Sequence, residues 1–186
     1  MAKISIVLHD LRGGGAEKMM VRLANQLAQN GDSVEMILLT AGGVNKSFLS
    51  ESVTLVELNS ARTLSAFLPL RKHLKQSNPD GILSALTHVN VIAGVVCASL
   101  GWSKRLSVSE RNPFSLDRKV NNGLVMRITY GIAPYLYRLL PNPVIAVSKG
   151  VADDLVDCSV VRQQDVCTAS NPVITKDTLE AAKQDA

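Results

Sequence analysis

The sequence is poor in aromatic residues and cysteine, and it lacks any long apolar run. Phe, Trp and Tyr make up 4% of the 186 residues, and so few aromatic rings argue against a protein that stacks nucleobases. Cys97, Cys158 and Cys167 have no metal-type spacing, so we interpret them as reduced structural thiols. No apolar segment approaches transmembrane length, and the N-terminus lacks the apolar stretch of a secretion signal. These absences predict a cytoplasmic protein that binds neither a metal ion nor nucleic acid.

The remaining composition is that of a globular protein. Hydrophobic residues make up 46% and charged residues 19% of the chain, which is long enough to bury a sizeable core. Short apolar runs alternate with amphipathic helical segments, as is typical of an α/β fold with a doubly wound parallel sheet covered on both faces. We expect about six strands, at 4–8, 34–39, 53–58, 81–86, 105–109 and 144–147. Helices are expected after the first strand and at 64–74, 89–100, 120–140 and 148–156.

Three consecutive glycines, Gly13, Gly14 and Gly15, lie between the first strand and the first helix. A glycine loop before a helix leaves backbone N–H groups unpaired at the positive end of the helix dipole, which attracts phosphate. A tight strand-to-helix turn without a ligand explains the glycines equally well. Two common phosphate motifs are absent. Lys18 stands where a dinucleotide fingerprint needs its third glycine, and no Gly-Lys pair is followed by Ser or Thr.

Polar side chains follow the fourth and fifth predicted strands, where the strand ends of an open α/β sheet meet a ligand crevice. His88 follows the fourth strand, and Thr87 or Asn90 is placed to make the same contact. A solvent-facing histidine at a helix start is the competing interpretation of His88. Arg111 follows the fifth strand, where its fork of donors is suited to a phosphate or an acidic group.

Interactions within the chain compete with a ligand role for several of these residues. Arg111 is placed to form a local ion pair with Glu110 or Asp117, and Glu110 is alternatively placed to orient the arginine. Ser148 precedes the last predicted helix, so a role as helix cap competes with substrate binding. Glu17, in the first turn of its helix, is expected to complement the helix dipole.

Four short motifs occur in order along the chain. They are Gly14-Gly15-Ala16-Glu17, Ser109-Glu110-Arg111-Asn112, Val147-Ser148-Lys149-Gly150-Val151 and Asn171-Pro172-Val173. In this combination the chain resembles the N-terminal half of a GT-B glycosyltransferase, and more narrowly glycosyltransferase family 4. The resemblance spans residues 14–173 and implies a Rossmann-like domain.

The resemblance also implies an activity, that of a hexosyltransferase. Such an enzyme moves a sugar, with retention of configuration, from a nucleotide-sugar donor to an acceptor, here a glycan or lipid-linked molecule of polysaccharide or lipopolysaccharide biosynthesis. Gly14 and Gly15 match the family's loop near the donor diphosphate and the acceptor. His88 matches a polar position beside the reacting sugar and is the candidate catalytic residue. Thr87, Asn90, Arg111 and Ser148 are the candidate substrate contacts. The nucleotide sugar is a co-substrate, so no cofactor is implied.

The donor half of the family's fold has no counterpart in the sequence. Its pair of glutamates, separated by seven residues, does not occur in the chain. We expect residues 1–173 to form the acceptor-side domain and 174–186 to form a polar tail or the start of an interdomain linker. With the C-terminal donor domain missing, this chain alone is expected to be inactive.

The segment 101–140 is basic and rich in apolar residues. It contains seven Lys or Arg residues against two acidic ones, whereas the net charge of the whole chain is +4. Residues 118–140 are therefore suited to docking on anionic lipid headgroups, which would place the protein on the inner face of the plasma membrane. A helix packed on the core with a solvated edge explains the same pattern, and the many apolar residues favour it.

Two other classes of protein remain open. A non-catalytic binding module, as a truncated or split half, would hold an acceptor or partner and show no turnover. An unrelated flavodoxin-like nucleotide-binding domain would use the glycine loop for a small phosphate and bind a nucleotide tightly by itself.

Overall fold

The computed structural model describes residues 1–171, and seven of its segments are strands: β1 Lys3–Leu8, β2 Ser33–Leu38, β3 Thr54–Glu57, β4 Gly81–Ala85, β5 Leu106–Glu110, β6 Val144–Ala146 and β7 Val166–Thr168. They form one sheet in the order β3-β2-β1-β4-β5-β6-β7, and every neighbouring pair is parallel. The predicted α/β fold with a parallel sheet is confirmed.

Helices connect the strands. They are α1 Gly15–Gln29, α2 Phe67–Ser77, α3 Thr87–Leu100, α4 Phe114–Val120, α5 Leu124–Leu139 and α6 Lys149–Asp157. Short 3-10 turns lie at Val44–Phe48, Thr63–Ala66, Ser103–Arg105 and Gln163–Asp165.

Alternation along the strands divides the core between the two faces of the sheet. In β1, Ile6 and Leu8 pack with Met20 of α1, whereas Val7 belongs to the cluster on the other face. That second cluster also contains buried residues of α2, α3, α5 and α6. Because successive side chains of a strand point to opposite faces of the sheet, each apolar run contributes buried side chains to both clusters.

Two elements differ from the sequence prediction. The predicted helix at 120–140 begins only at Leu124, because Gly123 is its N-cap, and a separate helix, α4, precedes it. The seventh strand, β7, was not predicted because it has three residues and its Cys167 and Thr168 are exposed, so it lacks an apolar signal.

All three cysteines are free, but only Cys97 is buried, so the predicted structural role is wrong for Cys158 and Cys167. The predicted boundary at 173, with Pro172 and Val173, lies outside the described residues.

The order of the strands determines where a ligand crevice forms. The chain leaves β1 toward β2 and β3, then crosses back through α2 to β4 on the other side of β1. In an open parallel sheet, connections that diverge from neighbouring strands leave a crevice at the carboxyl ends of those strands. The crevice here lies beyond Leu8 and Ala85.

A second loop braces the chain just before the three glycines. The amide of Leu11 donates to the carbonyl of Gly42 at 3.1 Å, and the carbonyl of Leu11 accepts from the amide of Asn45 at 3.1 Å. Gly43 has a φ of +125°, and a Cβ there would overlap the carbonyl group of Leu11. This contact fixes the start of the loop that leads into α1.

Replacing Gly43 by alanine should destabilise the protein more than replacing Gly42. Both glycines have positive φ values, which cost roughly 1–3 kcal/mol with a side chain, but only Gly43 also faces a backbone clash. Urea unfolding of Gly43→Ala and Gly42→Ala measures the difference. Equal losses would show that the contact with Leu11 adds nothing to the strain of the backbone.

Candidate functional site

A cavity of about 550 Å³ lies at the carboxyl edge of the sheet, between the glycine loop, the start of α3 and the α4–α5 region. Such a volume is within the range of small-molecule sites. The residues that line it are His9, Gly14, Gly15, Ala16, Glu17, Thr63, Leu86, His88, Asn112, Asp117, Asn121, Met126 and Tyr130. The cavity therefore brings together the predicted glycine loop and the predicted histidine.

The glycine loop presents the N-terminus of α1 to this cavity. Gly14 is the N-cap, and Gly15 is the first helical residue. Apart from the adjoining residues and backbone of its own helix, no atom lies within 4 Å of the position that a Cβ of Gly15 would occupy, so the space beside it is open. Glu17 lies in the first turn of α1, as expected. Its carboxylate packs against Gly14, and the buried Oε2 atom has no hydrogen-bond partner within residues 1–171.

Two histidines lie together in the cavity wall. The rings of His9 and His88 are 5.1 Å apart between centroids, in an edge-to-face arrangement. Burial, with a smaller contribution from the charge of His9, lowers the pKa of His88 to about 4. At neutral pH the His88 imidazole is therefore uncharged, and it offers one donor and one acceptor.

Sequence reasoning missed His9, although it directly follows β1 at the same sheet edge. The strand-end argument that selected His88 would have selected His9 as well. The Nε2 atom of His9 lies 3.8 Å from Oδ2 of Asp10, and the same carboxylate oxygen pairs with Nε of Arg12 at 3.1 Å.

The turn that carries His88 has a strained backbone. Leu86 has a φ of +77°, which residues other than glycine rarely adopt. Its amide donates to the carbonyl of Ser109 at 3.2 Å, and its own carbonyl accepts from the amides of Val89 and Asn90. The surrounding hydrogen bonds hold this conformation and direct the start of α3 toward the cavity edge.

Thr87 and Asn90, predicted as substrate contacts, do not line the cavity. Both are buried, and both donate to the carboxylate of Glu110, Thr87 from Oγ1 at 2.9 Å and Asn90 from Nδ2 at 3.1 Å. Tyr137 of α5 donates a third hydrogen bond to that carboxylate. Burial raises the pKa of Glu110 to about 7 despite these three donors.

Glu110 therefore does not orient Arg111, because its side chain is turned into the core. Arg111 forms no ion pair with Glu110 or Asp117 in the part of the chain that the structure describes, so the predicted local ion pair is wrong. Instead its Nη2 donates to Oδ1 of Asn171 at 2.8 Å, and Arg111 does not line the cavity. Asn112, the next residue, does line it and donates to Asp117 at 3.3 Å.

Ser148 is a helix cap, the role that the sequence favoured. Its hydroxyl accepts from the amide of Val151 at 3.3 Å at the start of α6, and it does not line the cavity. Within residues 1–171, no three His, Cys, Asp or Glu side chains are arranged to hold a metal ion. The same residues include no helix with the length and apolar character needed to cross a bilayer.

Comparisons with known proteins identify the family. Residues 13–177 match the model of Glycosyltransferase Family 4. A curated relative from Campylobacter jejuni is 32% identical over 124 residues, which cover 60% of this chain and 33% of that protein. It is named GalNAc-alpha-(1->4)-GalNAc-alpha-(1->3)-diNAcBac-PP-undecaprenol alpha-1,4-N-acetyl-D-galactosaminyltransferase.

Solved structures agree on the fold. The lipopolysaccharide outer core galactosyltransferase WaaB, in its apo form, superimposes with a TM-score of 0.64 at 18% identity, covering 94% of this chain and 47% of that one. HepE from Anabaena, in complex with UDP, superimposes with a TM-score of 0.65 at 14% identity, covering 98% of this chain and 49% of that one. The chain thus spans about half the length of these structures.

The fold is that of the N-terminal half of a GT-B glycosyltransferase. The chain belongs to glycosyltransferase family 4. This membership contradicts the alternative of an unrelated flavodoxin-like domain.

Replacing Tyr137 by phenylalanine should destabilise the protein more at pH 8 than at pH 5. In the folded protein the pKa of Glu110 is raised to about 7, so its carboxyl group is mostly protonated at pH 5 and mostly ionised at pH 8. The contribution of the raised pKa to the free energy of unfolding is full below about pH 4.5 and is lost as the pH rises through 7. Loss of the tyrosine donor removes a bond to the ionised carboxylate, so we expect a penalty of about 1–3 kcal/mol at pH 8.

Denaturant unfolding at the two pH values measures this effect. Tyr135→Phe on the same helix is the matched control, because the Tyr135 side chain is exposed and should contribute little at either pH. A Tyr137→Phe penalty that does not change with pH would contradict the role assigned to the ionised Glu110.

Proposed function

We propose that the protein supplies the acceptor side of a retaining glycosyltransferase of hexosyltransferase type. The enzyme moves a sugar from a nucleotide-sugar donor to a glycan or lipid-linked acceptor in polysaccharide or lipopolysaccharide biosynthesis. The observation that carries the proposal is the match to glycosyltransferase family 4 together with a cavity that joins the glycine loop to His88. Most donor contacts are assigned to a second domain, and the 186 residues alone are proposed to be inactive.

The donor diphosphate is proposed to approach the N-terminus of α1 at Gly14 and Gly15. Unpaired N–H groups and the positive end of the helix dipole stabilise the negative charge that develops on a leaving diphosphate. The open space beside Gly15 supports this placement, and the UDP in the HepE complex supports a nucleotide-sugar donor. No metal ion or cofactor is required of this half.

The acceptor is proposed to contact His88, with His9 beside it. An uncharged imidazole accepts a hydrogen bond from a sugar hydroxyl without introducing a positive charge next to the donor. The name of the Campylobacter relative describes an acceptor linked to undecaprenol through a diphosphate, which supports a lipid-linked acceptor for this protein as well.

The outer surface of α5 supports peripheral binding to an anionic membrane. The inner face of the helix is packed on the core through Tyr130, Ala133 and Tyr137. Its outer face exposes apolar side chains at helical spacing. Exposed basic residues lie on α5 and on the neighbouring helix α4. The apolar residues are Leu124, Val125, Ile128, Ile132, Tyr135 and Leu139, and the basic residues are Arg118, Lys119, Arg127 and Arg138. We place the protein in the cytoplasm, at the inner face of the plasma membrane.

Replacing Gly15 by valine should abolish sugar transfer without unfolding the protein. A Cβ at this position meets no atom beyond its own helical turn, and the valine side chain would fill the space proposed for the diphosphate. Transfer is measured in a protein that carries both halves of the GT-B fold, with Gly150→Val as the control because Gly150 lies in the first turn of α6. An unchanged rate in Gly15→Val would remove the loop from the mechanism.

Replacing Ile128 by glutamate should weaken binding to anionic vesicles by about tenfold or more, because it places a carboxylate in the apolar face of α5. Sedimentation with phosphatidylglycerol-containing vesicles measures the binding. Val44→Glu is the control, since Val44 is also largely exposed but lies beside α1. Equal losses in both variants, or equal binding to neutral vesicles, would contradict docking through α5.

A further inference from the structure

We propose that a second, mostly apolar cavity beside the histidine pair binds the hydrocarbon chain of a lipid-linked acceptor. The proposal rests on the proposed function and assigns it one acceptor class, a lipid carrying a phosphate-linked headgroup. The cavity has a volume of about 560 Å³ and lies between the 3-10 turn Thr63–Ala66, α3 and the start of α5. Its apolar walls are Leu64, Val91, Ile92, Val125 and Met126.

This cavity adjoins the polar one. His9, Thr63, His88 and Met126 line both. A ligand whose chain lies among the apolar walls therefore has its other end at the two histidines, where the sugar of the acceptor is proposed to react. One amphipathic molecule can thus occupy both cavities.

Two hydroxyl groups among the apolar walls of the second cavity, those of Ser65 and Thr129, are poorly suited to binding a sugar there. The hydroxyl of Ser65 donates to the carbonyl of Arg62 at 2.7 Å, and the hydroxyl of Thr129 donates to the carbonyl of Val125 at 2.9 Å. Both hydroxyl protons are therefore engaged with the backbone of their own turns. A sugar placed against these walls would lose hydrogen bonds to water without replacement, whereas a hydrocarbon chain would not.

The exposed apolar residues at the mouth of the cavity indicate from which side a hydrocarbon chain would enter it. Leu64 and Val125, in its wall, are 60% and 46% exposed, and Ile128, one turn further along α5, is also exposed. Together they extend the apolar lining toward the outer face of α5, which is proposed to contact the membrane. A chain can pass from the bilayer into the cavity along this surface.

A cationic side chain lines the same cavity next to Thr63, one of the residues that both cavities share. Arg62 lines the cavity and is exposed, and within residues 1–171 no carboxylate pairs with its guanidinium. A guanidinium binds phosphate through paired hydrogen bonds. An apolar cavity with a cation at its edge complements a phosphate attached to a hydrocarbon chain.

The test is direct binding of decyl phosphate to the chain, measured by calorimetry below the critical micelle concentration. Butyl phosphate, which has the same headgroup and a shorter chain, and inorganic phosphate are the comparison ligands. We expect decyl phosphate to bind at least about tenfold more tightly than butyl phosphate, and inorganic phosphate to bind weakest. Equal affinities for the three ligands, or no saturable binding of decyl phosphate, would overturn the proposal.

Two matched variants locate the site. Leu64→Gln should weaken decyl phosphate binding by about tenfold, whereas Leu68→Gln should leave it unchanged, because both leucines are exposed but only Leu64 lines the cavity. Equal losses would indicate adsorption to the surface and contradict the assignment. Since binding is measured without transfer, a failed transfer assay would contradict the proposed function and leave this result intact.

Discussion

The buried carboxylate of Glu110 joins three elements of the fold beside the cavity. It ends β5, it accepts hydrogen bonds from Thr87 and Asn90 at the start of α3, and it accepts a third from Tyr137 of α5. Burying a carboxylate is costly unless donors replace the lost water. The requirement for these donors fixes the distance between α3 and α5, and it explains why Thr87 and Asn90 are unavailable to a substrate.

Local backbone constraints then position the functional groups. The positive φ of Leu86 turns the chain abruptly from β4 into α3, so that His88 is at the cavity edge while its neighbours point inward. On the other side, the contact of Gly43 with Leu11 supports the chain that enters the glycine loop. The contact of Gly43, the strained turn at Leu86 and the buried carboxylate of Glu110 thus all lie near the carboxyl edge of the sheet, where open parallel sheets bind their ligands.

Much of this arrangement follows from local sequence patterns, and the rest depends on contacts between distant residues. Strand and helix periods predicted the sheet, and the position after a strand selected His88 and the glycine loop. The inward direction of Glu110 depends on Tyr137, which is 27 residues away, and the partner of Arg111 is Asn171, 60 residues away. No local pattern specifies such pairings. The short strand β7 and the break before α5 were missed because three exposed residues and a capping glycine carry little periodic signal.

The central claim is that sugar transfer takes place at the histidine-lined cavity. The most direct measurement is the rate of transfer in a protein carrying both halves of the fold, compared between His88→Ala and His73→Ala. His73 pairs with Glu35 at 2.8 Å and does not line the cavity. The account predicts that His88→Ala lowers kcat about a hundredfold or more, while His73→Ala, corrected for its folded fraction, retains the rate of the unaltered protein. Equal rates in the two variants would contradict the account.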